Sequence, residues 1–483
     1  MASKLRGKRP VRRAALALGV LVAGFLLHAA AARRMLGGGT LKRLLNTTPD
    51  ASALDWDEAT SVVPGRVRIR GFRISGNDGR TAWNLRLEEA RLTYSLLELA
   101  ARRFHVTSLS GSGLSFRAGP ARMTPRRRQA SGSPWTVQLD AISIAHLSEI
   151  GIGLYRFRGS AHLAGSFRLT THRAAEVGPA EIRIDGGLLK LGPDPVLALG
   201  PGGRIAGRIA PWDPRQLPGS AVWRRVSGEV RLGGGIEGLD FLDDYLGEPS
   251  PVRFAGGNGR ARIDAVIADG VATGGAGLSA SGARAAGTEF RLEGNVRAEV
   301  RIARWALEAG AADLSGSEVA LTEVSGGGET ASSWWGRFTF PRAAWGHAFE
   351  ARVRGKCRDA RPLLAVAGVA PPKIARRAFA LEDLSLTADI SNGPGGLAVR
   401  DLDAKGEKLA IQGAYRKNPA RIEGVFWIDA GKINVGLAIE NGRARWHPIP
   451  TRAWFERRRD EIGRGETGAA AAYAARSTTT AVP

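Results

Sequence analysis

An all-β body behind a single membrane segment is the fold class the sequence predicts, and three observations predict it. Apolar and polar residues alternate with period two through most of the chain. Glycine is abundant, 64 of 483 residues, as many tight turns require. Stretches with helical spacing are few and short, so helices can only cap or cross over. The composition, 43% hydrophobic and 24% charged, is that of a globular chain, and it excludes collagen, a coiled coil and a polytopic membrane protein.

The elements follow in chain order. Lys4, Arg6, Lys8, Arg9, Arg12 and Arg13 precede an uncharged stretch over residues 14–32 that Arg33 and Arg34 close. At 1.5 Å per residue this stretch is about 28 Å long, enough for a hydrocarbon core of roughly 30 Å and too long for a signal peptide's apolar part. Cations without acids before it predict a cytoplasmic basic leader over 1–13 and a transmembrane anchor over 14–32, with the rest of the chain on the far side. Ala29, Ala30 and Ala31 offer a cleavage site for the alternative, a removed signal.

Residues 63–118 read as an N-terminal β module. Val67 and Ile69 alternate with Arg66, Arg68 and Arg70, and beyond Gly71 the apolar phase resumes one position late at Phe72 and Ile74, which predicts a bulge. A short helix is expected over 92–102, around Leu96-Leu97-Glu98-Leu99. Residues 119–134, with Pro120, Pro125, Pro134 and Arg126-Arg127-Arg128, read as a flexible basic loop. Residues 135–445 form an elongated β body whose apolar faces carry Ile182 and Ile184, Phe290 and Leu292, Val296, then Leu384, Leu386 and Ile390, then Ile433, Val435 and Leu437. Within it, 200–218 reads as a Pro/Gly-rich break, and short helices are expected over 239–246 and 361–367. A cap helix over 446–462 and a disordered tail over 463–483 end the chain.

An apolar face of this length has to be covered by a second sheet, by helices, or by something that is not protein. The helices are too few. A sandwich or barrel and an open groove occupied by acyl chains both stay open.

The chemistry search excludes more than it finds. One cysteine, Cys357, allows no intramolecular disulfide and no multi-cysteine metal site. The Gly-Lys steps at Gly7, Gly355 and Gly431 lack the rest of a P-loop. Gly233, Gly235 and Gly238 spell G-x-G-x-x-G with no βαβ unit around them, so a turn between strands is expected rather than a dinucleotide site. His28, His105, His146, His162, His172, His347 and His447 are scattered, without a zinc or nucleophile-elbow motif. His172 with Glu176 reads as a surface pair, and Asp243 with Asp244 as the solvated face of a short helix. The net charge of +23 is almost all arginine, since only 10 of the 69 cations are lysine. It would attract phosphate on any carrier, but it is also what a GC-rich genome writes. Trp334, Trp335 and Trp345 interleave with cations, yet behind the anchor they face the wrong compartment for nucleic acid, which is not an expected partner. No catalytic residue, metal or cofactor is expected, and the chain does not read as an enzyme.

The order of features carries a resemblance. The basic leader and single anchor lead to Val63-Pro64-Gly65-Arg66-Val67-Arg68-Ile69-Arg70-Gly71-Phe72. Then come Leu85-Arg86-Leu87-Glu88-Glu89-Ala90-Arg91-Leu92, the leucine-rich helix, and a strand ending Leu109-Ser110-Gly111-Ser112-Gly113-Leu114-Ser115-Phe116. This resembles the N-terminal module of AsmA-like proteins of Gram-negative envelopes, and Gly424-Val425-Phe426-Trp427-Ile428-Asp429-Ala430-Gly431 with Val435-Gly436-Leu437 is similar to the family's closing strands. The resemblance is architectural over most of the chain and is closest to the short members. It implies a single-pass inner-membrane protein with its body in the periplasm, whose long, curved antiparallel sheet forms a U-shaped groove. Phospholipid or another acyl lipid would be shielded there on its way towards the outer membrane, in support of envelope integrity. On that reading the groove is lined by Val67, Ile69, Ile182, Ile184, Phe290, Leu292, Val296, Leu384, Leu386, Ile390, Ile433, Val435 and Leu437. An outer-membrane or periplasmic protein partner is expected to complete the route. The competing class is a non-transporting β-sandwich scaffold for outer-membrane protein or envelope assembly.

Overall fold

Alternation becomes strand through most of the described chain. The computed structural model describes residues 52–77, 81–121, 136–170, 174–192, 194–213, 219–246, 253–287, 291–326, 334–359, 383–393, 396–418, 421–431 and 433–463, with positions 30, 33, 34, 36, 42, 46, 216 and 217. The chain divides into two compact units, Met1–Pro193 with Leu199–Glu229, and Asp194–Ala198 with Val230–Pro483. The expected anchor lies outside the described residues apart from Ala30, as do Phe290, residues 122–135, the helix expected over 361–367 and residues 464–483. Among the described residues no helix is long and apolar enough to cross a membrane.

The first strands are β1 (Ser52–Asp55), β2 (Glu58–Thr60), β3 (Arg66–Asn77), β4 (Thr81–Tyr94), β5 (Arg103–Ser112), β6 (Leu114–Pro120), β7 (Thr136–Ile152), β8 (Tyr155–Thr170), β9 (Ala174–Leu191), β10 (Asp194–Leu199), β11 (Gly203–Trp212) and β12 (Val226–Ile236). In the first unit β1 and β2 together flank β3, and the sheet continues through β4, then β5 with β6, then β7, β8, β9 and β11. It is mixed, not antiparallel as expected, because β7 runs parallel to both β5 and β6. Alternation within a strand says nothing of its neighbour's direction. The stretch after Pro120, expected as a loop, has the dozen or more residues that a parallel return requires.

The phase slip at Gly71 also takes another form than a bulge. The β3–β4 register runs unbroken from Arg70↔Glu89 to Phe72↔Leu87, so both strands change face together. Gly71 makes this turn at φ +61°, and Gly113, between β5 and β6, makes its own at φ +70°. At both places a positive φ strains any residue but glycine, and a Cβ would also push aside a carboxylate side chain, Asp57 at Gly71 and Glu88 at Gly113.

The leucine-rich helix is shorter than expected. Leu92, Thr93 and Tyr94 remain in β4, and α1 spans Leu96–Ala100. It is held by His105, whose Nδ1 lies 2.7 Å from Glu98 Oε1 and whose Nε2 lies 2.5 Å from Asp140 Oδ2. Only the imidazolium donates to both carboxylates. Asp140 first, then Glu98, raises the His105 pKa above its usual value, while His105 lowers both carboxylates. A raised folded-state pKa stabilises fully below the unfolded value of about 6.5, and the gain is lost as pH rises through the folded value. The stability difference between wild type and His105→Gln should therefore be larger at about pH 5.5 than at about pH 8.5. A change of a few tenths to about 1 kcal/mol is expected in denaturant titrations, because Asp140 is partly exposed to water.

The remaining strands are β13 (Arg253–Ala268), β14 (Val271–Ala286), β15 (Arg291–Ala306), β16 (Ala311–Asp313), β17 (Ser317–Gly326), β18 (Trp334–Trp345), β19 (Phe349–Cys357), β20 (Leu384–Gly393), β21 (Gly396–Lys405), β22 (Ala410–Lys417), β23 (Ile422–Asp429), β24 (Asn434–Glu440) and β25 (Arg443–His447). From β13 onwards the described pairings are antiparallel and follow chain order, with β16 and β17 sharing one place beside β15. A short helix α2 (Phe241–Leu246) precedes β13. The Pro/Gly-rich break expected over 200–218 contains β11, and Gly233 and Gly235 lie inside β12 rather than in a turn. The cap helix starts later than expected: β25 runs to His447, Pro448 and Pro450 interrupt, and helix α3 covers 452–463. The Thr451 hydroxyl accepts from the Trp454 amide at its start.

Two faces of the second unit's last strands are closed. On one, Cys357, Leu384, Leu386, Ile411, Phe426, Ile428, Leu437 and Ile439 form a buried cluster. On the other, α3 lies over β22–β24: Phe455 is fully buried against Trp427, and the Trp454 ring occupies the space that a Cβ on Gly436 would need.

Candidate functional site

Strand registers turn local alternation into continuous apolar rows. In the first unit, cross-strand pairing joins Ala59, Ile69, Ala90, Gly111, Ile144, Leu163, Ile182 and Ile205 across eight strands without a charge. Ile184 is on the same face, opposite Ala161 and Gly203, and Val67 opposite Leu92. In the second unit a row runs through eleven strands: Ala261, Leu278, Ala298, Val319, Phe338, Gly355, Leu386, Ala404, Ile411, Ile428 and Val435. The adjacent row pairs Ala280 with Val296 and Leu321, then Gly336, Cys357 and Leu384.

Cover along these rows is uneven. Val67, Ile69, Leu163 and Ile182 are half-buried, Ile184 is buried, and Ile205 keeps 36% exposure. In the second unit Ala261, Leu278, Ala298, Val319 and Phe338 are half-buried, and Ile263, one position along the same face, is 37% exposed. From β20 to β23 the row closes, with Leu386, Ala404, Ile411 and Ile428 buried, and beside its end Leu437 has no exposure at all. Of the residues expected to line a groove, Leu292, Val296 and Ile390 do not share one degree of cover with the rest: Leu292 and Ile390 pack against this closed cluster from its partly buried margin, Val296 is half-buried in the row beside it, and Leu384, Leu386 and Leu437 belong to the cluster's interior. Val435 is half-buried. Ile433 departs from the expected face altogether. β24 begins only at Asn434, so Ile433 sits in the turn after Gly431 and is exposed.

The opposite face is ionic. Arg68 pairs with Glu89 at 3.3 Å, Arg73 with Asp55 at 3.0 Å, Arg204 with Glu181 at 2.6 Å, and Arg262 with Glu299 at 3.2 Å. Lys42, then Arg73, lowers the Asp55 pKa to about 2. Where it carries these pairs this face needs no cover, and over β22–β24 it is closed by α3.

Other sequence candidates stand apart. Asp243 accepts from the Phe254 amide at 2.9 Å, a structural bond at the start of β13, and His172 lies outside the described residues. Trp334 is buried and donates to the Asp359 carbonyl, with Trp335 exposed on the other side. Burial pushes the Cys357 thiol up to about 12. A cavity of about 420 Å³ beside α3 is lined by Arg400, Asp401, Tyr415, Arg459 and Asp460, and none of the expected lining residues reaches it. Among the described residues no group of His, Cys, Asp or Glu could hold a metal.

Alternation alone does not single out Leu163, Ile205, Leu278 and Phe338. For Ile205 the signal is present, since Ile205, Gly207 and Ile209 alternate with Arg204, Ala206 and Arg208, but nearby glycines and prolines outweigh it. No family model, no curated protein and no solved structure matches the chain.

Proposed function

We propose that the chain is an AsmA-like, membrane-anchored envelope protein whose curved sheet forms a groove that shields phospholipid acyl chains during transfer towards the outer membrane. The observation that carries this reading is the uncharged face that stays half-exposed at Leu163, Ile182 and Ile205, and again from Ala261 to Phe338. Water is a poor cover for such a face. Each CH₂ moved from water to an apolar surface gains about 0.8 kcal/mol, so a phospholipid tail gains more than about 10 kcal/mol. No reacting group is required. The residues 14–32 would hold the body at the inner membrane, with the sheet on the periplasmic side.

A second reading, the non-transporting scaffold, is favoured by the closed cluster around Leu437, where protein fills the interior. Crosslinking separates the two. With a photo-reactive residue at Ile205 or Ile263, the groove predicts capture of phospholipid, while the same residue at Arg204 or Arg262, on the ionic face, captures none. Equal capture on both faces, or no extractable phospholipid in the purified full-length protein, would overturn the groove in favour of the scaffold.

A further inference from the structure

The β7–β8 hairpin ends in an apolar tip that the lining does not use. Ile152, Leu154 and Tyr155 surround its turn and are all exposed, Leu154 by 70%. The turn is braced from both sides. Gly153, at φ +59°, donates its N–H to the Ala118 carbonyl at 2.8 Å, and Gly192 donates to the Leu154 carbonyl at 2.8 Å. The backbone that carries these three exposed side chains is thus fixed on both sides of the turn.

Directly behind the tip, Arg117 on β6 and Arg156 and Arg158 on β8 converge on one carboxylate. Arg117 binds Glu149 at 2.9 and 3.0 Å, and Arg156 and Arg158 stand 3.4 and 3.8 Å from it. Three cations share one anion. Lys190 is the cross-strand partner of Arg156 and adds a further positive charge. Along β8 the arginines follow Tyr155 by one and three residues, about 3 and 10 Å.

We propose that this tip is a membrane-surface contact, with Ile152, Leu154 and Tyr155 entering the headgroup layer of an anionic bilayer and Arg156 and Arg158 meeting its phosphates. An exposed apolar turn backed by cations matches the apolar and anionic layers of a bilayer surface, and a fluid interface can close around it. Tyrosine favours the headgroup level, and guanidinium groups behind an apolar tip lie at phosphate depth. The contact does not depend on lipid within the groove.

The test places an environment-sensitive fluorophore on Leu154→Cys in the full chain, reconstituted into vesicles of phosphatidylcholine alone or mixed with phosphatidylglycerol. Cys357 is buried, with its thiol pushed up to about 12, so the label goes to the tip. In phosphatidylglycerol vesicles a blue shift and quenching by a lipid-borne nitroxide are expected. Arg156→Gln with Arg158→Gln should lower the ratio of membrane-bound to aqueous label about thirtyfold. An aqueous label in anionic vesicles, quenching indifferent to lipid charge, or a blue shift without nitroxide quenching would each overturn the proposal.

Discussion

Leu437→Asp is expected to unfold the closing strands of the second unit. Leu437 is fully buried, opposite Phe426 and Trp446 in the register and inside a cluster of apolar side chains. A carboxylate there has neither water nor a cation, and the loss is roughly 5 kcal/mol, comparable to the whole stability of a typical domain. Ile263→Asp supplies the contrast. At 37% exposure its carboxylate meets water, and a change of about 1 kcal/mol or less is expected. Denaturant midpoints and protease resistance of the two variants read this difference directly. Equal destabilisation would mean that the face is packed as tightly at β13 as at β24, and the proposed groove would have no open part there.

Phe455→Ala is expected to be nearly as damaging, although it lies on the other side of the sheet. The ring is fully buried 6.1 Å from Trp427, with the Arg452 and Arg459 guanidinium groups over it at 5.1 and 5.7 Å. Deleting it removes the anchor of α3 and leaves a cavity over the β22–β24 face, at a cost of about 3–5 kcal/mol. A thermal midpoint lower by roughly 10 °C checks it. An unchanged midpoint would mean that α3 is peripheral.

The all-β class is legible because alternation is a local property, and Val67, Ile69, Ile182 and Ile184 occupy the face it assigns them. Pairing direction is not legible, since nothing in Leu139, Ile142 or Ile144 records that β7 lies parallel to β5. Cover is not legible either. The same alternation that places Ile205 on a half-exposed face places Leu437 in a closed interior. The difference lies in the side chains gathered around each residue, and the cluster that closes around Leu437 draws on residues as distant in sequence as Val324 and Trp334. Ile433 fails for a simpler reason: Gly431, at φ +75°, turns the chain just before it, so the parity counted back from Val435 stops one residue short.

Because the strands from β13 onwards pair in chain order, apart from β16 and β17 side by side against β15, the sheet of the second unit is quasi-one-dimensional, and the strand-pairing part of its stability is close to a sum of nearest-neighbour terms. Excising two consecutive antiparallel strands preserves both direction and face. Without β14 and β15, Ala261 of β13 would meet Val319 of β17, apolar against apolar, and the ionic side would stay ionic. Length is therefore a variable that duplication or deletion of hairpins would change in steps of about 10 Å, leaving the closed end at β22–β24 and α3 as it is.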